Sequence, residues 1–125
     1  MAHTKLCLTA TREAIVREYI RCILEPHGFV TIESRSSIEA LQELDIFAEA
    51  LDLIIIDLML PDGDGTTLAC TVRERCPTVA ILLMTEPGEH AAAKFRKMFV
   101  FIEKPFSPDT LLRAVEIEMS RLKKL

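Results

Sequence analysis

At 125 residues the chain can build one domain with a real core and not two, and it is read here as a single unit, 1–125. Half of it is apolar and 27% charged, an ordinary globular composition, and the net charge of -4 argues against a basic nucleic-acid-binding surface. No run is apolar enough for a membrane span and the start lacks a signal-peptide pattern; Cys7, Cys22, Cys70 and Cys76 show no metal-ligand spacing and read as reduced thiols, which together predict a cytoplasmic protein.

In chain order, Leu6 to Thr9 reads as a short strand. Glu13 to Glu25 reads as a helix with Val16, Ile20, Ile23 and Leu24 on its apolar face, stopped by Pro26-His27-Gly28. Ile15, Tyr19 and Cys22 form a second stripe, either core margin or docking surface. Phe29 to Glu33 is a strand; Ser36 or Ser37 then caps a helix to about Phe47, with apolar Ile38, Leu41, Leu44 and Phe47. Leu51 to Ile56 is an unbroken apolar run closed by Asp57 and a Pro/Gly/Asp loop, the pattern of a strand buried on both faces. A helix over Gly65 to Arg75 ends near Cys76-Pro77. Val79 to Met84 is a second buried strand, Glu89 to Lys97 a short helix, and Phe99 to Ile102 the last strand. Ser107-Pro108-Asp109 opens the final helix, whose apolar face is Leu111, Leu112, Val115, Met119 and Leu122.

Alternation of this kind predicts an α/β fold: a doubly wound, five-stranded parallel sheet in a three-layer α/β/α sandwich. Asp57, Thr85 and Lys104 fall at the ends of successive strands, and such ends converge on one crevice. A carboxylate, a hydroxyl and an ammonium suit phosphoryl chemistry, as nucleophile, hydrogen-bond donor and point charge. Asp62 and Asp64 read as solvated turn acids, and His3, His27 and His90 show no ligand spacing.

With Asp57 and the Leu60-Pro61-Asp62-Gly63-Asp64-Gly65 loop, Leu83-Met84-Thr85, and Glu103-Lys104-Pro105-Phe106, the chain resembles receiver domains of bacterial two-component response regulators along essentially its whole length. The resemblance implies the flavodoxin-like strand order 2-1-3-4-5. It implies that Asp57 accepts a phosphoryl group, that Thr85 and Phe101 switch, and that Lys104 contacts the phosphoryl group. It implies as partners a sensor histidine kinase or phosphotransfer protein, and a downstream regulator or output domain. A homodimer is left open; nucleic acid and membrane are not expected as partners, and the chain is not expected to be an enzyme.

The family also carries two adjacent acids after the first strand, which hold Mg²⁺ with the phosphoacceptor and a backbone carbonyl, here Met59. This chain has Thr9, Ala10, Thr11 and Arg12 in that region, and neither register supplies an acid. Little Mg²⁺ binding is therefore expected. Two unit negative charges about 4 Å apart repel by roughly 4 kcal/mol at an effective dielectric near 20, so phosphorylation of Asp57 is expected to be weak or absent. Glu86 beside Thr85 adds negative charge, and the Thr85–Lys104 stretch is shorter than the family's usual one. Arg12, if it points into the crevice, pairs with Asp57 in the metal's place; otherwise it is an exposed helix-start arginine. Besides the phosphorylation-gated switch, two readings stay open: a phosphorylation-independent interaction module, and a small phosphotransferase or hydrolase with Asp57 as nucleophile.

Overall fold

A computed structural model describes residues 4–123; His3 and the end at Lys124-Leu125 lie outside them. The strands are β1 (Lys5–Ala10), β2 (Phe29–Ser34), β3 (Leu53–Asp57), a hairpin of β4 (Met59–Leu60) and β5 (Gly63–Asp64), β6 (Ala80–Thr85) and β7 (Val100–Glu103). The helices are α1 (Ala14–Leu24), α2 (Ser37–Phe47), α3 (Gly65–Arg75), α4 (Ala93–Met98) and α5 (Pro108–Lys123), with a 3₁₀ turn at Glu25–His27. The main sheet runs β2-β1-β3-β6-β7, every pair parallel, which is the doubly wound order the resemblance implies.

Strand residues alternate between two cores. Leu8, Ile54, Ile56, Ile81 and Leu83 pack toward α2 and α3. Cys7, Leu53, Ile55, Leu82 and Met84 pack toward α1 and α5. Leu53, Ile54, Ile55 and Ile56 have no accessible surface, and full burial of such a side chain contributes roughly 1.5–3 kcal/mol. This is why the central run carries no polar residue until Asp57.

Three expectations need correction. Helix α2 buries Ala40 and Leu44, whereas Ile38 in its first turn is largely exposed. Helix α4 begins at Ala93 and not at Glu89. Before it, Gly88 adopts a left-handed φ of 89°, and Glu89 accepts the Glu86 N–H at 2.6 Å, so this stretch closes as a turn. Asp62 and Asp64 are exposed yet structural. Asp62 accepts the N–H groups of Ser37 and Ile38 at 2.8 and 2.9 Å, and Ser36 Oγ accepts that of Glu39, so the first N–H groups of α2 are all paired. Those backbone donors hold the Asp62 carboxyl below its usual range. Asp64 caps α3 in the same way through Thr66.

Candidate functional site

The chain order reverses direction across the sheet between β1 and β3, the point where doubly wound sheets open a crevice at the strands' carboxyl ends. Ala10 pairs with Ile56, so the residues just past β1 face Asp57. A cleft of about 390 Å³ opens there, bordered by Arg12, Glu13, Asp57, Met59, Glu86, Glu89 and Lys104 among others.

Asp57 is 5% exposed, and both of its oxygens are engaged. The Thr11 hydroxyl donates to Oδ2, and Lys104 Nζ lies 2.8 Å from Oδ1. Lys104 Nζ also lies 3.0 Å from Glu86 and 3.6 Å from Glu13, so one ammonium serves three carboxylates. Burial works against the Lys104 charge. Hydrogen bonds to Asp57 and Glu86, with attraction from Asp57 and Glu13, outweigh that penalty and hold its pKa above the ordinary lysine value.

Backbone bonds fix these positions. Leu58 N–H donates to Met84 O at 2.8 Å and Lys104 N–H to Thr85 O at 2.7 Å, which ties the ends of β3, β6 and β7 together. Gly65 N–H donates to Leu58 O at 2.7 Å, and a Cβ at Gly65 would sit 2.1 Å from the Asp57 carbonyl oxygen. Only glycine lets α3 start that close to the carboxylate's own backbone.

Thr9 and Ala10 are ladder residues of β1, and the Thr9 hydroxyl donates to Ile32 O at 3.4 Å. Thr11 is the residue that turns toward Asp57. Arg12 borders the cleft but is exposed and makes no ion pair among the described residues; the partner of Asp57 is Lys104. Thr85 is half-buried at the end of β6, and Glu86, its neighbour, borders the cleft in its stead. Phe101 is half-buried opposite Leu83, packed on the α2/α3 core and away from the cleft. Met59 borders the cleft and is largely exposed. Sequence reasoning missed the Thr11 contact and the inward turn of Glu13, whose only signal was its place beside the vacant acid positions.

Mg²⁺ takes near-octahedral oxygen ligands, one or two of them carboxylates. Among the described residues no group of three or more His, Cys, Asp or Glu could hold a metal ion. The positions after β1 supply a hydroxyl already bonded to Asp57 and a cationic side chain. The residues present do not fit Mg²⁺.

Residues 10–116 match the response regulator receiver domain family, and the chain belongs to it. It is therefore a receiver domain of the two-component response regulators, a class of signalling modules. It is 29% identical over 121 residues to the phosphate regulon transcriptional regulatory protein PhoB of Klebsiella pneumoniae, covering 92% of this chain and 52% of that one. It is 32% identical over 118 residues to the transcriptional regulatory protein ResD of Bacillus subtilis, covering 91% of this chain and 48% of that one. The chain thus spans about half the length of these relatives. A response regulator receiver domain protein from Clostridium thermocellum superimposes with a TM-score of 0.86 at 22% identity, over 95% of this chain and 97% of that one, which shows the shared fold.

Proposed function

We propose that residues 1–125 form one receiver module in which Asp57 is the phosphoacceptor and Lys104 the residue that steadies the phosphoryl group, with Thr85 and Phe101 as the switch residues. The observation that supports this most is the Lys104–Asp57 contact of 2.8 Å at the sheet's crevice, a nucleophile and a cation held ready for a tetrahedral oxyanion. Mg²⁺ has no proper seat. The phosphoryl donor is a sensor histidine kinase or a phosphotransfer protein, and the output is regulated contact with a downstream protein or an attached domain, without catalytic turnover. A cytoplasmic location suits that chemistry; no described helix is long and apolar enough to cross a membrane.

Incubation with acetyl phosphate, followed by intact mass, tests the assignment. A gain of one phosphoryl group that is lost in Asp57→Asn supports it. A gain retained in Asp57→Asn overturns it. The full engagement of both Asp57 oxygens favours a second reading, an interaction module that works without phosphorylation. That reading stands if no mass is gained under any condition and partner binding is unchanged in Asp57→Asn.

A further inference from the structure

The cleft has an unbalanced charge inventory. Asp57, Glu13, Glu86 and Glu89 contribute carboxylates, and Lys104 and Arg12 contribute cations. Lys104 is already shared among Asp57, Glu86 and Glu13. A phosphoryl group brings close to two further negative charges and three acceptor oxygens. Among the described residues bordering the cleft, Arg12 is the cation that makes no ion pair. It directly follows Thr11, whose hydroxyl is bonded to Asp57, so it is next in the chain to a residue that touches the acceptor. Its guanidinium presents donors in a planar fork that matches two oxygens of one phosphoryl group.

From this we infer that Arg12 takes the place of a divalent cation, so that Asp57 accepts a phosphoryl group without metal. The inference rests on the assignment of Asp57 as phosphoacceptor. With an acyl phosphate, a carboxylate oxygen of Asp57 forms a bond to phosphorus as the phosphorus–oxygen bond to the acyl group breaks. The carboxylate leaves with the electron pair, and no proton or electron is needed from elsewhere. Arg12 binds two non-bridging oxygens through this step, and Lys104 shifts its contact from the Asp57 carboxylate to the third. The exposed position of Arg12 leaves it free to swing onto the incoming group, whereas a buried, paired arginine would have to break existing bonds first.

The test is acetyl phosphate labelling followed by intact mass, in EDTA and in Mg²⁺, on wild type, Arg12→Ala, Arg12→Asp and Asp57→Asn. Wild type is expected to be labelled equally fast in both buffers. Loss of a charge-assisted hydrogen-bonding partner costs about 1.5–3 kcal/mol, so Arg12→Ala should be slower by roughly ten- to a hundredfold. Arg12→Asp should acquire Mg²⁺ binding by calorimetric titration, absent in wild type, and its labelling should become EDTA-sensitive. Melting temperatures near that of wild type in both variants separate this role from a structural one. Labelling of wild type that requires Mg²⁺, or Arg12→Ala labelled as fast as wild type, overturns the inference and leaves Asp57 as acceptor, provided Asp57→Asn stays unlabelled. Labelling of Arg12→Asp in Mg²⁺ while wild type takes no label shows that Arg12 blocks the site, and also overturns it. No label on any variant in either buffer overturns the inference and the acceptor assignment together.

Discussion

Replacing Lys104 with methionine keeps the length of the side chain and removes its charge. Its ammonium lies 2.8 Å from Asp57, and the two side chains are 9% and 8% exposed. At that separation the attraction is about 6 kcal/mol at an effective dielectric near 20, before the cost of desolvating both groups. Breaking a buried pair by removing one partner costs roughly 3–5 kcal/mol, because the other charge is left uncompensated. The lower end applies here. Thr11 still donates to Asp57, and Glu86 and Glu13, 48% and 42% exposed, can turn to water. Lys104→Met should therefore lose about 3 kcal/mol, a fall in melting temperature of roughly 10–15 °C for a domain of this size. Adding Asp57→Asn removes the stranded charge and should restore most of the loss. The assay is urea unfolding followed by circular dichroism at neutral pH. The Lys104 pKa is raised in the folded state, so its contribution is fully present below the ordinary value of 10.5 and lost as pH rises through the higher folded value. The gap between wild type and Lys104→Met should accordingly stay constant from neutral pH to about 10.5, narrow above that, and be gone past the folded value. A loss under about 1 kcal/mol, the worth of a surface pair, would refute the reasoning, as would failure of Asp57→Asn to rescue.

Gly65→Ala should destabilise by roughly 3 kcal/mol, since the added methyl meets a backbone carbonyl and not a movable side chain; equilibrium unfolding within about 0.5 kcal/mol of wild type would contradict the geometry. Asp62→Asn should lower thermal stability at neutral pH, with the difference vanishing in acid. The Asp62 pKa is depressed below 3.8 in the folded state, so its contribution is present above that value and lost as pH falls through the lower folded one; two melting curves that stay apart at the acid end would count against this.

The alternation of apolar runs and helix signals was enough to give a parallel α/β sheet and to place Asp57 and Lys104 at strand ends, because buried parallel strands leave an unmistakable pattern, whereas the order of the strands came from the family resemblance. The hairpin after Asp57 was not legible. It pairs Met59 with Asp64 and Leu60 with Gly63, too few residues to show any alternation. On α2 Leu44 is buried and Leu41 packs on the core as read, but Ile38 is not, because Ala40 outranks it in the packing, and hydrophobicity alone says nothing of how closely a small side chain lets a helix approach. The start of α4 was placed early because Glu89 looks like a helix opener, whereas its carboxylate is spent on the Glu86 N–H. The partners of Asp57 were mixed: Lys104 could be read from its place at a strand end, but Thr11 could not, since two registers of the β1 loop were equally compatible with the sequence.

Asp62 fastens the loop that follows Asp57 to the start of α2 with both of its oxygens. Loop and helix are therefore one mechanical piece: the loop cannot travel without dragging the rod attached to it or snapping two bonds. Through those two bonds the turn beyond β3 is tied to the rod whose outer flank carries the exposed Ile38 and Ile46.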